Sequence, residues 1–111
     1  NPTGDPTVYA SSVGGGYHDG IGLDVCGNLY VADYTTSGLY RVEADGTVAS
    51  MVSTNYSQYG HGVTWGEALG GWDPLALYQP QPYNSNTVRE VVIGFASGDT
   101  VRTWNGVAVP Y

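Results

Sequence analysis

The sequence contains no lysine and only three arginines, Arg41, Arg89 and Arg102, against ten acidic residues. Its formal net charge is −7 over 111 residues. Binding of nucleic acid depends on many basic groups that meet phosphates, and docking on anionic lipid also depends on clustered cations. The charge balance therefore argues against a nucleic-acid partner and against a membrane-surface partner.

Other absences narrow the class of protein further. The single cysteine, Cys26, excludes an internal disulfide framework and a cysteine zinc cluster. No apolar run approaches the ~18 residues of a membrane-spanning helix, so no membrane insertion is expected. The sequence has no G-x-S-x-G nucleophile elbow, phosphate-binding loop or dinucleotide fingerprint. A helix is hard to place, and the best candidate, Gly66–Leu69, is interpreted as a loop.

Glycine and tyrosine are abundant, with 17 and 10 residues, and glycine averages only ~7% in proteins. Short β-type runs alternate with turn signals, which is typical of an all-β fold. Asp24 and Asn28 flank a tight turn at Cys26-Gly27, and we expect them to cap its backbone donors. Asp45-Gly46 predicts a type I′ hairpin. Gln79–Pro82 is interpreted as an extended loop, since proline cannot donate to a sheet ladder. The predicted strands are Thr7–Val13, His18–Val25, Asn28–Tyr34, Gly38–Ala44, Thr47–Ser53, His61–Trp65, Asp73–Tyr78, Thr87–Ile93 and Thr100–Trp104.

The strands fall into two similar rounds. Gly20-Ile21 matches Gly62-Val63 and Leu29-Tyr30 matches Leu77-Tyr78, at offsets of 42 and 48 residues. Repeats of ~40–50 residues with four strands each are the signature of propeller blades. We therefore predict an all-β partial β-propeller of about two four-stranded blades, residues 17–54 and 60–106. Residues 1–16 are predicted to hold a linker and an extra N-terminal strand of a neighbouring blade. The alternative is a small β-sandwich of about eight strands, which needs no partner.

One stretch of the chain resembles a known family. The motifs that carry the resemblance are HDGIGLD at residues 18–24, CGNLYVADY at 26–34 and GLYRVEADGT at 38–47. They resemble a blade of the senescence-marker-protein/gluconolactonase family, and NHL-repeat and strictosidine-synthase-like propellers share much of the pattern. The resemblance covers roughly Tyr17–Tyr78, and it supports a fold more strongly than an activity.

The resemblance implies a candidate metal site. Lactonase members of that family hold one divalent cation, usually calcium, on the propeller axis. The aspartate of the "D-G" that opens a blade touches the metal and is the proposed base for water attack on a lactone carbonyl; here it is Asp19. Oxygen ligands suit a hard cation. The family's other ligands, a glutamate and an asparagine from other blades, have no counterpart in this chain, and His61-Gly62 departs from the ligand pattern.

Each candidate residue also has a structural interpretation. Asp19 precedes a glycine, which is common turn chemistry. His18 and His61 precede the first strand of each round, where they either line a pocket or face water. The aromatic candidates either stack on a glycan or an interface partner, or pack between blades; they are Trp65, Trp72, Tyr78 and Trp104.

Two blades do not close a propeller, which typically has 4–8. The expected partners are other propeller blades, from a partner fragment or from identical chains, and three copies would give six blades. The first functional hypothesis is a fragment or subunit of a lactonase-like hydrolase of small lactones or esters, active only in the complete assembly. The second is a non-catalytic structural or interaction module that binds other chains or glycans. The acidic, Lys-free composition fits an extracellular or secreted protein.

Overall fold

The structure, a computed structural model, confirms the all-β prediction. It describes residue 4 and residues 6–36, 38–53, 60–81, 86–98, 102–104 and 107–109, the last two ranges as backbone only. Within those ranges the one helical segment is the 3₁₀ turn Leu69–Gly71. None of the described residues belongs to a helix long and apolar enough to cross a membrane.

The first sheet is a four-stranded antiparallel meander. Its strands follow the chain in the order β1 (His18–Leu23), β2 (Leu29–Asp33), β3 (Gly38–Val42) and β4 (Val48–Ser53). Each strand lies within the corresponding predicted segment, because alternating apolar residues and local turn signals specify both the strand and its ends.

The turn between β1 and β2 confirms the predicted capping. The buried Asp24 carboxylate accepts hydrogen bonds from the backbone N–H groups of Cys26 at 2.8 Å and Asn28 at 2.9 Å. It also accepts from the Asn28 carboxamide and from the Tyr30 hydroxyl. Asp24 thus satisfies the donors that the turn leaves without a strand partner.

The Asp45-Gly46 hairpin forms, but the predicted turn type was wrong. A type I′ turn needs positive φ at both central residues. Gly46 has φ +88°, whereas Asp45 does not belong to the positive-φ residues of the described chain. The Asp45 side chain accepts the Thr47 N–H at 2.9 Å. The connection between β3 and β4 comprises residues 43–47.

The second sheet has three antiparallel strands, β5 (Thr64–Trp65), β6 (Ala76–Gln81) and β7 (Thr87–Val92), in sequence order. Residues 79–81, which we expected to form a loop, continue β6. The Pro80 carbonyl accepts the His61 N–H at 3.0 Å, and the β5 ladder ends opposite Tyr78. Because the N and C=O of one residue point to the same side of a strand, the missing proline N–H interrupts no β6–β7 bond.

Two further expectations differ from the structure. The predicted strand Thr100–Trp104 is present as β8 (Arg102–Trp104), but it pairs with β9 (Val107–Val109), a strand that we did not predict. Among the described residues the second sheet therefore has three strands and not the expected four. Thr7–Val13 belongs to no described sheet.

The sheets enclose one apolar core and carry a second on the opposite face of the first sheet. Tyr30, Leu39, Trp65 and Leu77 form the core between the sheets. The second core consists of Val13, Val31 and Val42, with Ala10 packed against it. Instead of pairing as a strand, the N-terminal segment therefore lies across the outer face of the first sheet and covers part of it.

The sheets approach each other most closely at two glycines of β1. A Cβ on Gly20 would lie 2.3 Å from the Gly62 Cα, and a Cβ on Gly22 would lie 2.6 Å from the Trp65 ring. Real Cβ atoms do not approach other atoms so closely. We call the place where Gly20 faces Gly62 the sheet junction, and the candidate site residues lie beside it.

Candidate functional site

The sheet junction brings together two of the predicted site residues. Asp19, near the start of β1, contacts Nδ1 of His61 through its Oδ2 atom. His61 precedes β5. Both side chains are partly exposed, at 39% and 30%. The Tyr34 ring packs edge-on against the His61 ring, with centroids 5.2 Å apart. The junction therefore presents one carboxylate, one imidazole and one phenol ring at the same edge of the sheets.

His18 does not join this group among the contacts of the described residues. Its Nε2 atom lies 2.7 Å from the Val13 carbonyl oxygen, in the N-terminal segment. The β1–β2 register shifts between His18 and Gly20. This bulge redirects the His18 side chain away from the position that simple strand alternation would give it.

The possible metal ligands at the sheet junction do not make up a calcium site among the described residues. Calcium takes roughly 6–8 oxygen ligands. Nowhere in the described ranges do three His, Cys, Asp or Glu residues gather as a metal-binding group. One Asp19 oxygen contacts an imidazole, and the Nε2 atom of that imidazole is buried. A cation here would need several oxygen ligands from outside the residues that the structure describes.

Two other carboxylates are buried but serve the backbone. Asp33 accepts hydrogen bonds from the Thr35 N–H at 2.9 Å and the Thr36 N–H at 3.2 Å, and also from Gly15. Burial alone would raise the pKa of the Asp33 carboxyl, but these N–H groups lower it to about 2. Burial would likewise raise the pKa of Asp24, and its hydrogen bonds hold that pKa below its usual range. Both groups stay ionised and fix turns, so neither acts as a proton donor at neutral pH.

A second feature is an apolar groove of about 390 Å³ on the face of the second sheet that points away from the first. Trp72 and Tyr78 form one wall and pack edge-on, with ring centroids 4.6 Å apart. The Tyr78 hydroxyl donates to Glu90 at 2.5 Å and accepts the Asp73 N–H at 2.9 Å. The bond to Glu90 raises the pKa of Tyr78. The residues that line the groove are Thr64, Trp65, Gly66, Trp72, Tyr78, Pro80 and Val88.

The aromatic candidates divide between core and groove. Trp65 is buried, packs edge-on against Tyr30 and donates its indole N–H to the Phe95 carbonyl at 2.8 Å. For Trp65 the structural interpretation, packing between the sheets, therefore applies. Trp72 is exposed and Tyr78 is buried against it. Trp104 lies in β8, and its side chain falls outside the described residues.

Sequence analysis missed Tyr34 at the junction and Pro80 and Val88 in the groove. The sequence signal for Tyr34 is weak: it is an aromatic residue directly after β2. Only the structure shows that its N–H donates to the Tyr17 carbonyl just before β1. Pro80 and Val88 face each other across β6 and β7. Because the sequence predicts a loop at Pro80, it gives no reason to place Pro80 opposite Val88.

Comparisons with known proteins add no name to this geometry: no family model, no curated protein and no solved structure matches the chain.

Proposed function

We propose that this chain is an assembly module whose two outer sheet faces are covered by further β-sheet, as in one portion of a closed propeller. One observation carries the proposal: both outer faces expose apolar side chains. Ile21 and Leu23 are 64% and 50% exposed on the first sheet, and Val88 and Val92 are 61% and 65% exposed on the second. Contiguous exposed apolar surface marks a site of interaction.

The sheet edges support the same function. β7 is an edge strand of the second sheet, and the N-terminal segment joins no described sheet. Exposed edges invite pairing with another chain, and propellers remove them by radial repetition. That Thr7–Val13 completes a neighbouring blade stays a prediction. In an assembly, the free edge of the β7 strand in another chain would be its partner.

The proposal is tested by comparing the wild-type chain with the double variant Ile21→Asp/Val88→Asp. Both positions are exposed, so the variant should fold and keep the same far-UV circular dichroism. We expect the wild type either to self-associate or to bind a hydrophobic dye, and the variant to do neither. The control is Leu69→Asp. Leu69 is 69% exposed but belongs to neither of the two outer sheet faces. A wild-type monomer that binds no dye would overturn the proposal.

A hydrolase that uses Asp19 is a second proposal, favoured by the contact of this β1 carboxylate with His61, which precedes β5, at the sheet junction. The described residues do not supply a calcium site by themselves, so this proposal takes the remaining ligands from the assembly. The test compares calcium-dependent hydrolysis of a simple lactone by the assembled protein and by its Asp19→Asn variant. Asp45→Asn, in an exposed hairpin, is the control. Absence of hydrolysis by the assembled wild type with saturating calcium would reject this function.

A further inference from the structure

The two sheets repeat the same surface pattern, which identifies what fits each open face. In the sequence superposition, Ile21 corresponds to Val63 and Tyr30 corresponds to Tyr78. By the same spacing along β1 and β5, Leu23 corresponds to Trp65. Tyr30 lies in the core between the sheets, and the Trp65 ring of the second sheet packs on it at 5.8 Å. Val63 packs against the same core.

On the outer faces the equivalent residues meet no other described sheet: Tyr78 is packed edge-on by Trp72 of its own chain, and the groove beside this pair stays open. Tyr78, the equivalent of Tyr30, lies in the groove on the outer face of the second sheet. Ile21 and Leu23, the equivalents of Val63 and Trp65, project from the outer face of the first sheet; we call these two residues the ridge. Inside the chain, Tyr30 is packed by Trp65, and Val63 joins the same core. The ridge carries the residues equivalent to Trp65 and Val63, so it is the element that matches the groove at Tyr78.

We infer that the groove of one chain receives the ridge of a second copy of the same chain, so that copies join head to tail. The docked contact continues the interface between the two sheets by one repeat, with Leu23 of the second copy in the groove beside the Trp72 and Tyr78 rings of the first. This inference rests on the proposed function and names the partner that covers the faces.

The contact joins two different surfaces, so it is heterologous, and each copy keeps one open ridge and one open groove. Such contacts continue until they close a ring. Because each copy brings two sheets and closed arrays have about 4–8, a ring would take roughly two to four copies. The net charge of −7 on every copy opposes association, whereas the contact itself is apolar. Added salt should therefore strengthen it by screening.

The test uses two variants that each block one surface. Leu23→Asp removes the ridge and keeps the groove, and Val88→Asp does the reverse. Native mass spectrometry and analytical ultracentrifugation should show a wild-type oligomer and two monomeric variants, with association weakened roughly thirtyfold or more. An equimolar mixture of the variants should form a one-to-one heterodimer, since one intact ridge and one intact groove remain. Leu69→Asp should assemble like the wild type.

Several results would overturn the inference. If either variant alone formed a symmetric dimer, the contact would join like surfaces and would not run head to tail. If the mixture stayed monomeric, ridge and groove would not be partners. A wild-type monomer that binds hydrophobic dye would reject a second copy as partner while leaving the proposed function intact. A wild-type monomer that binds no dye would reject both.

Discussion

Replacing Gly20 with alanine tests whether the two sheets touch at the sheet junction. The added Cβ would lie 2.3 Å from the Gly62 Cα and 3.0 Å from the Gly62 N and C atoms. The Cβ–Cα separation of 2.3 Å is more than an ångström shorter than ordinary carbon–carbon contact at ~3.5–4.0 Å. The obstructing atoms are backbone, so no side-chain rotation relieves the clash, and the inner strands must move apart.

The expected cost is about 1–3 kcal/mol in the free energy of unfolding, as for other overpacked interiors. An opposing effect of about 0.4–1 kcal/mol comes from the unfolded state, because alanine has fewer conformations there than glycine. Gly20 is absent from the positive-φ residues, so alanine brings no backbone strain of its own. The net destabilisation should therefore be about 1–2 kcal/mol.

Urea unfolding of Gly20→Ala, followed by near-ultraviolet circular dichroism of the buried Trp65, measures this difference. Gly4→Ala is the matched control, because a Cβ there meets nothing within 4 Å and Gly4 carries no positive φ. It shares the unfolded-state effect and lacks the clash. If Gly20→Ala were as stable as Gly4→Ala within about 0.5 kcal/mol, the sheets would not approach each other at the junction.

Three further perturbations address the buried carboxylates and the core. Asp33→Asn should lower the free energy of unfolding by about 2 kcal/mol at pH 7, as measured by urea unfolding. The folded-state pKa of Asp33, about 2, lies below its ordinary 3.8, so this stability is present above pH ~4 and is lost as the pH falls through 2. The gap between wild type and variant should therefore close in acid, and a constant gap would contradict the assignment. Tyr30→Phe should cost about 1 kcal/mol by removing the hydroxyl bond to Asp24. Because burial and the nearby Asp24 charge raise the pKa of Tyr30 to about 12, the variant should also remove one late-titrating tyrosine from the ultraviolet alkaline titration. Leu77→Ala should cost about 2–5 kcal/mol because this side chain is fully buried between the sheets, whereas the exposed Leu69→Ala should stay within about 0.5 kcal/mol; equal costs would contradict the core assignment.

The sequence predicted the strands of the first sheet well because their signals are local. Alternating apolar residues mark β2 and β3, and the Asp24 and Asn28 pair marks the turn before β2. A capping carboxylate acts on donors within four residues of itself, so its partners are visible in the sequence. Asp19 became a candidate through the family resemblance, and the match between Gly20 and Gly62 placed His61 at the equivalent position of the second round.

The failures occur where the partner of a segment lies far along the chain. Pro80 argued for a loop, yet it fits in β6 because β5 ends before reaching it. β8 pairs with β9 and not with the second sheet. In both cases local composition did not decide the outcome, and the available edge did. Thr7–Val13 has strand-like composition, and its residues Ala10 and Val13 pack on a face of the first sheet; its role in a neighbouring blade stays a prediction.

By itself the sequence determined that the chain is all-β, where most strands begin and end, and that two rounds of strands follow each other. These properties depend on side-chain alternation and on turns whose partners are a few residues apart. Only the tertiary structure decided that Asp19 contacts His61, that Asp33 accepts the N–H of the distant Gly15, and that a groove and a ridge stand open on opposite outer faces. Those properties depend on which face of each strand meets another sheet, and that choice is made by packing between segments that are distant in the chain.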